Sequence, residues 1–242
     1  MPDDPPEPLL SHLEALRGAL LRSLAGVALL VPAGCALAPA AIRGLARLCL
    51  PPEAGPLHYF GPMEAFWTQL RLGCAIAVAL AFPWCAWQLW RFLLPALRPG
   101  ERAAVRRAAA VSTLLFALGA AFCLIAILPL VMRFGLGFAS AELRPVIGLG
   151  SFAGLCGWLL VAFGLMFQAP VAAFLLVRLG VVSAAALARA RPYVIVAILV
   201  AAALLTPPDV VSQVLLAVPT WLLFELGVLL ARRGEGDAAS RS

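Results

Sequence analysis

The sequence predicts an all-α integral membrane protein. It should have six transmembrane helices, both termini cytoplasmic, and a short fifth and sixth helix. Three observations carry this. The chain is 63% hydrophobic and 12% charged, whereas water-soluble domains average about 45–50% apolar and about 25% charged residues. Several apolar runs approach the roughly 20 residues that cross about 30 Å of hydrocarbon. Finally, all 18 basic residues are arginine and they gather at the ends of the apolar runs. A six-span layout with the N-terminus inside puts thirteen arginines on the cytoplasmic side and five on the other, the bias that the positive-inside rule requires. The net charge of +6 forms no stripe, so nucleic-acid binding is not expected.

The elements follow in chain order. Residues 1–8, M-P-D-D-P-P-E-P, are acidic and proline-rich and are expected to be a disordered tail. They lack the basic n-region of a cleavable signal peptide, so the first apolar run is expected to stay as a membrane helix. Residues 9–22 place leucines at 9, 10, 13, 16, 20 and 21, a helical stripe that reads as a short interfacial helix. Helix 1 is expected over about 19–38, stopping at Pro39. A proline-rich loop over 39–68 follows, with a short amphipathic helix lying on the bilayer at 40–50. Helix 2 is expected over 65–92. Helix 3 covers 104–130, ending at Pro129, and helix 4 covers 152–178. Helix 5 covers 193–205. Helix 6 covers 210–230, broken at Pro219 and ending at Arg232-Arg233. The single membrane domain thus runs over 9–233, with a flexible cytoplasmic tail at 234–242. Thirteen residues of helix 5 rise only about 20 Å, less than the hydrocarbon thickness, and such a mismatch thins the bilayer or drives pairing with other helices.

No catalytic constellation is visible. There is no G-x-x-x-x-G-K-[ST], H-E-x-x-H or G-x-S-x-G, and the two histidines, His12 and His58, lie on opposite expected sides. The six cysteines form no C-x-x-C and read as small buried hydrophobes. No enzyme, metal or cofactor is therefore expected, and no internal repeat supports a repeat-built transporter.

Polar residues in apolar surroundings are the candidates. Glu225 lies seven residues before Arg232, hence roughly 10 Å below the surface. Such a carboxylate is either functional, or it snorkels or pairs with a neighbouring helix. Gln168 falls near mid-bilayer and can only hydrogen-bond. Thr206, Asp209 and Gln213 cluster between helices 5 and 6, as turn chemistry or as a docking point for another helix. Glu64 opens helix 2, where a carboxylate suits the helix dipole. Glu101 opens helix 3 just beyond Trp84, Trp87 and Trp90. It is either a cap, compensating the dipole beside Arg98 and Arg102, or a receptor for a cationic ligand, because carboxylate–guanidinium pairs are bidentate and directional.

Several stretches together resemble the TatC family of twin-arginine translocase subunits. They are F-P-W-C-A-W-Q-L-W-R-F-L-L-P-A-L-R-P-G-E-R from Phe82 and L-T-P-P-D-V-V-S-Q-V-L-L-A-V-P-T-W-L-L-F-E-L-G from Leu205, with S-H-L-E-A-L-R, G-P-M-E-A-F and R-A-R-P-Y. The resemblance spans about Leu9 to Arg233. It implies a receptor core in the bacterial inner membrane that binds twin-arginine signal peptides of folded cargo. It also implies single-span TatA/TatB partners, homo-oligomers within the complex, and export driven by the proton-motive force. By position, Glu101 would hold the signal-peptide arginines, with Phe92, Glu14 and Arg17 on the same surface. Thr206 and Gln213 would dock partner helices. Glu225, Asp209, Pro83 and Gln88 also match family positions.

The sequence departs from the family pattern twice. Where the family reads H-L-x-E-L-R, this chain reads H-L-E-A-L-R, with Ala15 at the glutamate position and Glu14 one step earlier. One step is about 100° around a helix. Where the family often reads F-E-x-P, this chain has F-Q-A-P, with Gln168 in place of the acid. The other function classes left open are a proton- or ion-coupled small-solute transporter built on Glu225 and a membrane assembly scaffold.

Overall fold

The computed structural model describes residues 8–51, 55–93, 102–138, 145–178, 181–205 and 210–239. Glu101, Thr206 and Asp209 lie outside the described residues, as do residues 1–7. The described secondary structure is helical, apart from a parallel bridge between His58 and Gly148. Four helical stretches are long and apolar enough to span a bilayer, and two shorter apolar ones, Arg191–Ala203 and Leu216–Leu229, complete six.

Span 1 is α1, Pro8–Cys49, one helix of 42 residues. It absorbs the interfacial helix expected at 9–22, the span at 19–38 and the bilayer-lying helix at 40–50. Pro32 and Pro39 lie inside it, so Pro39 does not end the helix. A proline removes one intrahelical bond, but an open loop within lipid would leave many backbone groups without partners. The helix therefore continues, for about 63 Å at 1.5 Å per residue, and outruns the bilayer.

Span 2 is α2, Glu64–Leu93, with Pro83 inside, close to the expected bounds. Span 3 begins as α3, Arg102–Phe122, passes through a π-helical turn at Cys123–Ile127, and continues as α4, Leu128–Leu136. Pro129 was expected to end this span and does not. In the π turn the Leu128 N–H donates to the Cys123 carbonyl, five residues back. This wider turn makes room for the ring of Pro129, whose clash would fall on the carbonyl four residues earlier.

Span 4 is split into α5, Leu149–Met166, and α6, Ala169–Arg178. Phe167 and Gln168 form the break, and Pro170 sits in the first turn of α6, where its missing N–H costs nothing. A short helix not foreseen from the sequence, α7 at Ala184–Arg189, is capped by the Ser183 hydroxyl, which accepts from the Ala186 N–H at 3.1 Å. Span 5 is α8, Arg191–Leu205, about 22 Å long at 1.5 Å per residue. Span 6 lies in α9, Val210–Ala239. Its apolar part is short, as expected, but the helix neither breaks at Pro219 nor stops at Arg232-Arg233. The backbone of 234–239, expected as flexible tail, continues it.

The helices pack in a chain of neighbours. The α1 helix lies on α2, α2 on α3 and α5, α3 on α5, α6 on α9, and α8 on α9. With lipid as apolar as leucine, close backbone approach replaces the hydrophobic drive between helices. Gly34 and Gly73 supply it between α1 and α2, where a Cβ on Gly34 would strike the Gly73 carbonyl. The main buried cluster holds Cys49, Leu72, Cys123, Leu128, Cys156 and Phe163 among others, so three cysteines are core residues as expected, whereas Cys74 is exposed and Cys35 and Cys85 are half-buried.

Candidate functional site

The site is built at the end of the bundle where α1 starts and α9 finishes, called here the terminal end. The α1 and α2 helices run antiparallel. The Trp84 Nε1–H donates to the Arg22 carbonyl at 3.0 Å, and the Cys85 thiol to the Ser23 carbonyl at 3.9 Å. Following that register toward the terminal end brings Arg17 level with the last turn of α2, which carries Arg91 and Phe92. Glu14 lies about one turn further toward that end. Glu14, Ala15 and Arg17 are all exposed and Phe92 is half-buried. Three residues named from separate motifs, Phe92, Glu14 and Arg17, thus belong to one end of the fold.

Between α2 and α3 at this end lies a cavity of about 630 Å³ lined by Trp87, Arg91, Val105 and Arg106. Its floor is a cluster of Ala86, Trp90, Val105 and Ala109, with Phe82, Val171 and Leu175 packed against it. The rings of Phe82 and Phe116 stack at 4.0 Å beneath. A hydrogen bond fixes the two helices: the buried Trp90 Nε1–H donates to the Ser112 hydroxyl at 2.9 Å. The Gln168 amide donates to the Ser112 carbonyl at 3.0 Å and to the Gly164 carbonyl at 3.5 Å. Ser112 is therefore a hub between α2, α3 and the break in span 4. Sequence reasoning missed it, although a lone serine in an apolar run is a visible signal.

Ser112→Ala should leave the Trp90 N–H buried without its acceptor. Leaving such a group unsatisfied costs about 1–3 kcal/mol. A correspondingly lower thermal midpoint of the purified protein in detergent is expected, and an unchanged midpoint would remove Ser112 from this role.

The remaining candidates lie apart from this cavity. Gln88 is buried at 2% exposure and its Oε1 has no hydrogen-bond partner among the described residues. Glu225 is half-buried in α9 and accepts two hydrogen bonds from Arg191, from Nε at 2.6 Å and from a terminal nitrogen at 2.8 Å. Of the two readings of Glu225, the structure shows pairing to a neighbouring helix. Its partner Arg191 was visible in R-A-R-P-Y but was not singled out. Gln213 donates to the Leu199 carbonyl at 2.9 Å, tying α9 to α8.

Glu64 does more than compensate its own helix dipole. Its carboxylate accepts from the Phe60 N–H at 2.6 Å and, across the bundle, from the Gly150 N–H in the first turn of α5 at 3.0 Å. The adjoining loop is fastened by the His58 N–H to the Ile147 carbonyl at 3.0 Å and by the Leu149 N–H to the His58 carbonyl at 2.6 Å. Glu64 is thus a clip at the opposite end, remote from the cavity. Among the described residues no group of three or more acidic, histidine or cysteine side chains is placed to hold a metal ion.

Residues 11–219 match the family model for Sec-independent protein translocase protein (TatC). The chain belongs to the TatC family. It is 38% identical over 229 residues to the Sec-independent protein translocase protein TatC of Azotobacter chroococcum mcd 1, covering 93% of this chain and 89% of that one. To the TatC of Escherichia coli K12 it is 34% identical over 241 residues, covering 97% and 92%. It also resembles a crystal structure of the twin arginine translocase receptor TatC in a detergent, DDM, with a TM-score of 0.83 at 30% identity over 91% of this chain and 99% of that one. A second TatC crystal structure gives 0.81 at 32% identity. Membership of the TatC family makes this chain a multi-pass membrane component of a Sec-independent protein translocase, with the all-helical six-span fold expected from its sequence.

Proposed function

We propose that the chain is the receptor core of a twin-arginine translocase. It sits in the bacterial inner membrane with both termini cytoplasmic, so the terminal end faces the cytoplasm. That end binds the twin-arginine signal peptide of a folded cargo protein. Glu101 takes the paired guanidinium groups, with Phe92, Glu14 and Arg17 on the same face. Single-span TatA/TatB partners dock along α8 and α9 near Thr206 and Gln213. The assembly holds more than one copy of this chain, and the proton-motive force drives export. No step calls for catalysis or for a cofactor.

The observation that carries this reading is the open cavity between the end of α2 and the start of α3, in a chain of this family. Arg91 and Arg106 line that cavity, and by themselves they repel a cationic peptide. The attraction must therefore come from carboxylates, and on this reading Glu101 supplies it, with Glu14 beside the same motif residues. The ion-coupled transporter built on Glu225 loses support, because that carboxylate is engaged by Arg191.

The test is site-specific photo-crosslinking of a twin-arginine peptide to positions 14, 15 and 101 in membranes. Adducts at 101 are expected, and none at Tyr59 on the opposite end. A peptide that crosslinks at Tyr59 but not at 101 would overturn the reading. Gln168→Glu should change signal-peptide binding by less than about twofold. The substituted group faces two carbonyl acceptors, Ser112 and Gly164, where only a neutral carboxylic acid can donate. A large change in binding would tie the span-4 break to the receptor face.

A further inference from the structure

A groove of about 490 Å³ runs between α1 and α2, lined among others by Arg22, Gly26, Leu29, Leu30, Leu80 and Trp84. Its shape follows from residue size. Ala25, Gly26 and Ala81 leave the seam low, while Leu29, 81% exposed, and Leu80, 48% exposed, stand up along it. From Arg22 to Leu30 the groove follows eight residues of α1, about 12 Å of rise. That is most of one leaflet's share, roughly 15 Å, of the hydrocarbon thickness.

The groove's polar end is specific. Among the described residues, Arg22 is its one charged lining residue. The guanidinium lies back along α1 over Gly18, 3.6 Å from where a Cβ on that glycine would sit. It thus snorkels toward the terminal end, to headgroup depth. The described salt bridge is Arg191–Glu225, so no described carboxylate neutralises Arg22. Beside it stands Trp84, an amphipathic ring of the kind that settles at the interface. Its N–H is already donated to the Arg22 carbonyl, so it offers a flat apolar wall rather than a donor.

We propose that this groove is a binding site for an anionic phospholipid from the leaflet at the terminal end. One acyl chain lies along Gly26, Leu29 and Leu80, and the phosphate pairs with Arg22. A cation at the mouth with no carboxylate partner among the described residues favours an anionic headgroup over one that carries its own ammonium, as basic pockets between membrane helices do.

The experiment is native mass spectrometry of the full chain in micelles containing phosphatidylglycerol and phosphatidylethanolamine of identical chains. One phosphatidylglycerol should survive delipidation in preference to phosphatidylethanolamine. Arg22→Gln should lower its retention about tenfold, the scale of one charge-assisted hydrogen bond. Ala25→Phe, which fills the groove from an exposed position, should lower retention of both lipids. Arg43→Gln, far along α1, should change nothing. Equal retention of the two lipids, or an Arg22→Gln variant that keeps the preference, would overturn the proposal. So would a photo-reactive residue at position 25 that, in phosphatidylglycerol vesicles, captures a twin-arginine peptide rather than lipid.

Discussion

Glu101→Ala should reduce crosslinking of a twin-arginine signal peptide to background. A carboxylate holding guanidinium groups makes charge-assisted, bidentate bonds, each contributing about 1.5–3 kcal/mol. Losing two of them weakens binding by roughly a hundredfold or more. The cavity beside the start of α3 is lined by Arg91 and Arg106, which repel a cationic peptide. Removing Glu101 therefore leaves net repulsion where there was attraction. Glu14→Ala should have a smaller effect. Glu14 stands about 100° around α1 from the position of Ala15, and its side chain is exposed. Unchanged crosslinking in Glu101→Ala would refute the assignment. Equal loss in Glu14→Ala would show that Glu14 replaces the family glutamate despite its displaced position.

The Gly73→Val variant should fail to give a stable, monodisperse protein. A Cβ at Gly73 would lie 2.7 Å from the Cys35 Sγ and 2.8 Å from the Cys35 Cα and backbone nitrogen. Backbone cannot move aside as a flexible side chain can, so α1 and α2 must separate. Overpacking a well-fitted interior costs about 1–3 kcal/mol. Here the cost should exceed that range, because the longest helix pair parts along its length. Gly44→Ala is the matched control. It lies in the same α1 helix with nothing within 4 Å of its Cβ position, and alanine is favoured over glycine in a helix by about 0.5–1 kcal/mol. Its thermal midpoint should stay level or rise. A Gly73→Val protein that melts with the parent would show that the close approach is not required.

Much of the fold is legible in the chain because lipid is a simple solvent. Long apolar runs locate spans 2, 4 and 5 to within a few residues. Three of the errors share one cause, which is reading proline as a stop. Pro39, Pro129 and Pro219 all lie within continuing helical structure. In water a proline frees backbone groups that solvent then satisfies, so the helix ends readily. In lipid no solvent is available and the helix continues, with a π turn where the ring needs space. Local pattern carries no information about which medium surrounds a proline.

The candidate site was legible in part. The motifs named the residues of the terminal end, and the resemblance grouped Phe92, Glu14, Arg17 and Glu101. Gln168 and Glu225 were visible as polar residues in apolar runs, but their partners were not. The Ser112 carbonyl is 56 residues from Gln168, and Arg191 is 34 from Glu225. Such pairings depend on how helices cross, and a single helix's periodicity does not encode that.

By itself the sequence determined that this is a six-span helical membrane protein with an arginine-rich face, because burial in hydrocarbon and charge at the interface are properties of residue type. Only the tertiary structure decided that Glu225 is an ion-pair member rather than a free carboxylate. The same holds for Glu64, which clips the ends of two helices, and for Ser112, which joins three segments. Those roles rest on distances of about a hydrogen bond's length between residues far apart in the chain, and only packing sets such distances.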